Sequence, residues 1–100
     1  MNEVYRYQFE KGVSFRDVKE SLLVAVVAAE CLHGESRVRL EANYCVDDER
    51  QSFVIDADTP VGRDIGRVFT GLCIKEFGVD SFTVERVSDR RRRATGGPLF

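Results

Sequence analysis

The residues best suited to metal binding or nucleophilic chemistry in this chain are Cys31, His33, Cys45 and Cys73. A tetrahedral zinc site needs four donors within about 2.0–2.3 Å of one ion. The predicted elements place Cys31 and His33 at one end of the sheet and the other two cysteines toward the opposite end. We therefore expect no metal site and no cofactor, and we expect Cys31 and Cys73 to act as small core hydrophobes.

A second set of candidates, His33, Asp56, Asp58 and Arg63, surrounds the predicted start of the second helix. Exposed amides at a helix N-terminus can bind anions, so these side chains are candidates for a small polar ligand cleft or catalytic site. Ordinary helix capping by Asp58 and Thr59 explains the same residues without any ligand. The sequence leaves both interpretations open.

The C-terminal segment contains four consecutive arginines, followed by two glycines and an apolar Pro-Leu-Phe end. The whole chain has a net charge of -2, so this basic segment follows an acidic body. Arg90, Arg91, Arg92 and Arg93 are candidate contacts to nucleic acid, acidic lipid or acidic protein. Phe100 is a candidate anchor in a pocket of a partner. The alternative is a solvated tail without a partner.

Hydrophobic periodicity predicts the elements that position these residues. Alternation predicts strands over Val4–Phe9, Arg37–Tyr44, Ser52–Ala57 and Ser81–Val87, and helical spacing predicts helices over Phe15–Leu32 and Pro60–Phe77. This order resembles the ferredoxin-like α/β (α+β) sandwich, a four-stranded antiparallel sheet in the order 4-1-3-2 with two helices on one face. We expect one domain over residues 1–88 and a basic tail over residues 89–100.

The predicted topology also bears on RNA binding, because modules of this topology stack bases on aromatic side chains of the open sheet face. We expect Tyr5, Tyr7 and Phe9 to face the helices. The residues predicted on the open face then include no aromatic: Val4, Arg6, Gln8, Arg37, Arg39, Glu41, Asn43, Ser52, Val54, Asp56, Thr83 and Glu85. RNA recognition by base stacking is therefore not expected.

The first predicted helix is more apolar than packing against one sheet requires. A stripe that includes Val18, Leu22 and Ala29 suffices to cover the sheet. Four further apolar residues, Leu23, Val24, Val27 and Ala28, widen the apolar surface past half of the helix circumference. Excess exposed apolar surface commonly marks an interface. We predict an interface there; coverage by the hairpin or tail and ordinary packing between the helices are the alternatives.

The second predicted helix contains Gly62, Gly66 and Thr70 at four-residue spacing. Glycine inside a helix costs roughly 0.5–1 kcal/mol relative to alanine, so a close approach should compensate for it. The small residues Ala25, Ala28 and Ala29 of the first helix are the expected neighbours. Contact with a ligand or subunit is the alternative.

These features favour a small, non-enzymatic interaction or regulatory module that associates with itself through the first helix. The alternatives are a nucleic-acid-associated factor that uses the arginine-rich tail, and a small-molecule sensor or enzyme with the polar cleft. The longest apolar run, Leu22–Ala29, has eight residues, whereas a membrane span needs about 20. Three cysteines without framework spacing fit a reducing compartment. We therefore expect a cytoplasmic protein.

Overall fold

A computed structural model describes residues 3–88 of the chain, and these form an α+β fold. The strands are β1 (Glu3–Phe9), β2 (Tyr44–Asp47), β3 (Ser52–Asp56) and β4 (Phe82–Ser88); the helices are α1 (Phe15–His33), α2 (Glu35–Glu41) and α3 (Pro60–Phe77), and a short 3₁₀ turn covers Val79–Ser81. Residues 89–100, which include the predicted tail with Arg90–Arg93 and Phe100, lie outside the described residues.

The four strands form one antiparallel sheet in the order β2-β3-β1-β4. This is the predicted order 4-1-3-2 read from the other edge, so the strand order is confirmed. In the centre of the sheet, Tyr7 lies opposite Phe53 on one side and Val84 on the other. Directly opposite residues share a face of the sheet, so the register fixes which side chains meet the helices.

The core lies between one face of the sheet and the helices α1 and α3. It is rich in aromatic side chains that meet edge to face, as in the contact of Tyr7 with Phe69 at 5.0 Å between ring centroids. Phe9 and Phe53 also belong to this cluster, and Tyr5 packs beside it. The prediction that the aromatic residues of β1 face the helices is therefore confirmed. Each aromatic side chain buried in this way contributes about 1.5–3 kcal/mol.

The ends of the two long helices follow the predicted signals. The Ser14 hydroxyl accepts a hydrogen bond from the Asp17 amide, and the Thr59 hydroxyl accepts one from the Gly62 amide. Both helices end at a glycine with a φ of 92°, Gly34 and Gly78. An L side chain rarely adopts this backbone conformation, so glycine is needed where the chain turns away.

The predicted strand over Arg37–Tyr44 is wrong, because its first part forms the two-turn helix α2. Val38 is 3% exposed and Leu40 is 86% exposed, whereas a half-buried strand would place both on one face. The helix brings Arg37 within 2.9 Å of Glu41 and Arg39 within 3.9 Å of Glu35. Arg37, Arg39 and Glu41 are therefore not on the open sheet face.

Gly62 and Gly66 approach the sheet rather than the alanines of α1, so the expected neighbour was wrong. A Cβ atom at Gly62 would collide with the carbonyl oxygen of Asp56, and one at Gly66 would lie 2.6 Å from Cδ2 of Tyr5. The missing side chains let α3 pack directly on β1 and on the end of β3. Their packing role is within the chain.

No helix within residues 3–88 combines the length and the apolar composition that crossing a bilayer requires.

Candidate protein-interaction site

Helix α1 presents one apolar face to the core and a second apolar face to solvent. Its buried residues, Val18, Leu22, Ala25 and Ala29, have the spacing of a single helical stripe. On the other side Leu23 is 60% exposed, and Val24 and Val27 are each 55% exposed. We call Leu23, Val24, Val27 and the half-buried Ala28 the outer α1 face. No charged residue occurs between Ser21 and Ala29, so nothing on the helix itself interrupts this face.

Polar groups flank the outer α1 face on both sides. On the side of α3 lies a shallow groove, lined by Asp17, Glu20, Ser21, Val24, Leu72, Glu76 and Phe77. On the other side the ammonium of Lys19 lies 2.7 Å from a carboxylate oxygen of Asp48, in the turn between β2 and β3. Leu23 lies one turn after Lys19, on the side of α1 nearer β2. Val27 lies two and a half turns after the buried Val18 and therefore on the side of α1 that faces away from the sheet.

The strand β2 adds a second exposed surface beside this side of α1. It pairs with β3 and forms one edge of the sheet in the part of the chain that the structure describes. All four of its residues are exposed, including the large apolar side chains of Tyr44 and Val46. Both lie opposite core residues of β3, Ile55 and Phe53, and therefore face the helix layer.

The three thiols differ in their surroundings. Cys73 is fully buried in α3, and burial raises the pKa of its thiol to about 12. It remains protonated at neutral pH and unreactive, as expected for a core residue. Cys31 and Cys45 are exposed. The expectation that Cys31 fills the core is therefore wrong, because it lies one turn after Val27 on the outward side of α1.

His33 contacts α3 rather than the aspartates with which the sequence grouped it. Its Nε2 atom lies 2.8 Å from a carboxylate oxygen of Asp64, and both side chains are largely buried. The other oxygen of the Asp64 carboxylate accepts a hydrogen bond from the guanidinium of Arg67 at 3.4 Å. The contact links the end of α1 to α3. In residues 3–88, no group of three or more His, Cys, Asp or Glu side chains is arranged to hold a metal ion.

Asp56, Asp58 and Arg63 lie around the junction between β3 and α3. The side chain of Asp56 accepts a hydrogen bond from the Asp58 amide at 2.9 Å, and that of Asp58 accepts one from the amide of Glu3 at 2.9 Å. Arg63 donates to the carbonyl of Ala57 at 3.1 Å. The three side chains thus stabilise local backbone, and these hydrogen bonds do not join them to His33.

A groove between α3 and β4 was not predicted from the sequence. It encloses about 410 Å³ and is lined by Tyr5, Tyr7, Gly66, Arg67, Thr70, Val84 and Arg86. The buried hydroxyl of Tyr7 donates to the carbonyl of Gly66 at 3.2 Å and lies 2.8 Å from the Thr70 hydroxyl. Thr70 follows Gly62 and Gly66 at the same four-residue spacing, but only the position of α3 on β1 reveals its partner.

The open sheet face is largely polar in the described strands. The guanidinium of Arg6 lies 3.3 Å from the carboxylate of Glu85 on this face. The register places no aromatic residue of the described strands there. The argument against base stacking therefore holds for these strands, although Arg37 and Arg39 no longer belong to them.

In comparisons with protein-family models, with curated proteins and with solved structures, nothing matches this chain.

Proposed function

We propose that this protein is a non-enzymatic interaction or regulatory module that associates with itself through the outer α1 face. The observation that carries the proposal is the exposure of Leu23, Val24 and Val27 by more than half, in a stretch of helix without a charged residue. Single exposed apolar residues are ordinary on protein surfaces, but a contiguous patch of this kind is typical of an interface.

The composition of the patch favours a protein partner over a small molecule. The outer α1 face is convex because it lies on one helix, whereas small-molecule sites are concave. Helices that pack together bury rows of side chains at spacings of three and four residues. Val24 with Val27 and Leu23 with Val27 have these spacings, so the face can pack against an equivalent helix.

The free energy gained by burying the outer α1 face indicates how tight a complex to expect. Completing the burial of a half-exposed valine or leucine contributes about 1 kcal/mol, half of the value for full burial. In a symmetric dimer six such side chains are covered, which gives about 6 kcal/mol. Association costs roughly 4–15 kcal/mol in lost freedom. The outer α1 face alone therefore supports a weak dimer, and a tighter dimer needs further contacts.

The direct test is the mass of the full chain in solution as a function of concentration. We expect size-exclusion chromatography with light scattering to show a concentration-dependent dimer. The variant Leu23→Glu should be monomeric, because it places a charge in the contact. Leu40→Glu is the matched control, since Leu40 is more exposed but lies on α2. A wild-type chain that stays monomeric at all concentrations contradicts the proposal.

The finer classification of the fold is part of the same proposal. We propose a ferredoxin-like sandwich in which α2 is inserted between the first helix and the second strand. The strand order and the packing of α1 and α3 on one face support this assignment. We also propose a cytoplasmic location, which is supported by two exposed free thiols, Cys31 and Cys45.

A further inference from the structure

The outer edge of β2 carries backbone hydrogen-bonding groups that have no strand partner among the described residues. The Asp56 amide donates to the carbonyl of Asn43 at 2.8 Å, so Asn43 directs its backbone groups toward β3. In an antiparallel pair these directions alternate along the strand. Cys45 therefore also points its amide and carbonyl toward β3. The amides and carbonyls of Tyr44 and Val46 point away from the sheet.

An edge of this kind can pair with another strand, and proteins usually protect it. Very short edge strands, charged side chains, proline, a β-bulge or a covering segment are the usual protections. The strand β2 is short and ends at the charged Asp47, but its first three residues are uncharged, it contains no proline, and its residues pair with β3 without interruption. Its exposed groups therefore remain available to a strand of suitable length and register.

We propose that β2 pairs antiparallel with β2 of a second copy of this chain, with Cys45 opposite Cys45 of that copy. In this register Tyr44 lies opposite Val46 of the second copy, and Val46 lies opposite its Tyr44. The amides and carbonyls of Tyr44 and Val46, four groups on each strand, then all form hydrogen bonds with the second copy. A register centred on Tyr44 or on Val46 pairs only one of these residues with its equivalent, so it forms fewer bonds.

The side chains agree with the same register. Asp47 lies opposite Asn43 of the second copy, so no two carboxylates face each other. A register that set Asp47 opposite its equivalent would bring like charges together, which is destabilising. On the helix side, Tyr44 meets Val46 of the second copy, an aromatic and a β-branched residue, and such cross-strand pairs contribute roughly 0.2–1 kcal/mol.

This arrangement also brings the sides of the two α1 helices that carry Leu23 toward each other. Neighbouring strands are about 4.8 Å apart, so the two β3 strands would be about 14 Å apart. The start of α1 lies over β3, since the ring of Phe15 is 5.0 Å from that of Phe53 and Lys19 reaches Asp48 in the turn before β3. A helix with its side chains is about 10–12 Å wide. Leu23, on the side of α1 nearer β2, would then meet its equivalent across the symmetry axis.

The inference deepens the proposed function and rests on its claim of self-association. It supplies the additional contacts that the outer α1 face lacks, namely the main-chain bonds of β2 and the burial of Tyr44 and Val46. It also specifies the symmetry, because both copies use the same strand and the same helix side. Such an isologous contact closes at two subunits.

The position of Cys45 makes the register measurable. Cys45 of the two copies would form a non-hydrogen-bonded pair, in which the Cα atoms are about 4.5 Å apart. That distance is within the range for a disulfide. Treatment of the full chain with diamide would join the two sulfurs; the two thiols lose two protons and two electrons, and diamide takes them up as it is reduced to the hydrazine.

We expect Cys31→Ser to yield a covalent dimer on non-reducing electrophoresis as readily as the wild type, and Cys45→Ser to yield almost none. Cross-linking through random collision would instead join Cys31 and Cys45 equally well, and its rate would fall in proportion to dilution. A dominant Cys31 cross-link, or a rate that falls in proportion to dilution while light scattering still shows a dimer, overturns the proposed register.

A second variant tests the strand pairing without any thiol. Val46→Pro removes an amide that points away from β3, so the sheet within the chain keeps its bonds, while the pairing between copies loses two. We expect a folded monomer by circular dichroism and light scattering. If the dimer persists in Val46→Pro but is lost in Leu23→Glu, the β2 pairing is wrong and the proposed function stands. A monomeric wild type overturns both.

Discussion

The ring of Tyr5 lies against the backbone of Gly66 so closely that a methyl group at Gly66 would come within 2.6 Å of Cδ2. The contact sets the distance between α3 and β1. It also places the next strand residue on the helix face, Tyr7, where its hydroxyl reaches the Gly66 carbonyl and the Thr70 hydroxyl. One missing side chain thus determines both the packing of α3 and a buried hydrogen-bond group.

We predict that Gly66→Ala lowers the free energy of unfolding by about 1–3 kcal/mol, the usual cost of overpacking a core. The gain in helix propensity does not offset this, since alanine is favoured over glycine by only about 0.5–1 kcal/mol. Gly71→Ala is the matched control in the same helix, because nothing lies within 4 Å of its added methyl group. It should be more stable than the wild type in urea denaturation. Equal stabilisation of both variants would contradict the packing role of Gly66.

We predict that Tyr7→Phe destabilises the protein by about 1 kcal/mol at neutral pH, the net value of a typical hydrogen bond. The Thr70 hydroxyl loses its partner, while the aromatic packing is kept. The measurement is urea denaturation of both proteins at pH 7. Thr70→Val, which removes the other hydroxyl of the pair, should cost a similar amount, and the double variant should cost less than the two single changes added together.

The pH dependence of the same pair of proteins gives a separate prediction. Burial raises the pKa of Tyr7 from 10.0 to about 12. The folded state therefore holds the phenol proton more tightly, so this contribution to stability is complete below pH 10 and is lost as the pH rises from 10 to 12. A difference of two pH units corresponds to about 2.7 kcal/mol. Wild type should lose more stability than Tyr7→Phe over this interval; parallel losses would refute the assignment.

We predict that two of the three thiols react quickly in the folded protein. Cys31 and Cys45 are exposed, whereas Cys73 is buried and its pKa is raised to about 12 by desolvation. A thiol-specific colorimetric reagent at pH 8 should titrate two groups in the native chain and three in urea. The double variant Cys31→Ser/Cys45→Ser should show no fast reaction until it is unfolded. A fast third thiol in the native wild type would contradict the burial of Cys73.

The fold was predictable where the local sequence signals and the packing on the sheet favour the same structure. The caps at Ser14 and Thr59, the stops at Gly34 and Gly78 and the aromatic alternation of β1 all agree with their final surroundings. The exposed stretch of α1 was also visible, because an apolar helix face wider than one sheet can cover appears directly in the spacing. These features depend on neighbours within a turn or a strand.

The rest depended on contacts between distant residues, which spacing does not report. The residue that packs against Gly66 is Tyr5, 61 positions earlier in the chain. Only the position of α3 on the sheet brings the two together. His33 meets Asp64 rather than Asp56 for the same reason, since the end of α1 is placed by packing on α3. The groove beside β4 likewise exists only once α3 is positioned on the sheet.

Residues 35–41 show how a local pattern can mislead. Alternation of charged and apolar residues from Arg37 to Ala42 satisfies a strand, but Glu, Arg and Leu are also good helix formers. Paired charges at a spacing of four, Arg37 with Glu41 and Glu35 with Arg39, support the helix. A helix buries Val38 alone, and the strand that follows is reduced to Tyr44–Asp47. The pattern had two solutions, and tertiary packing selects between them.

The two solutions make opposite predictions for Leu40, which provides a test. In the helix Val38 is 3% exposed and Leu40 is 86% exposed. Val38→Ala should therefore cost about 1–2 kcal/mol, the value of two buried methylene equivalents. Leu40→Ala should change the free energy of unfolding by less than about 0.5 kcal/mol, as for most surface substitutions. In a strand both side chains would share the buried face, so similar losses in urea denaturation would show that α2 is assigned wrongly and that β2 is longer than four residues.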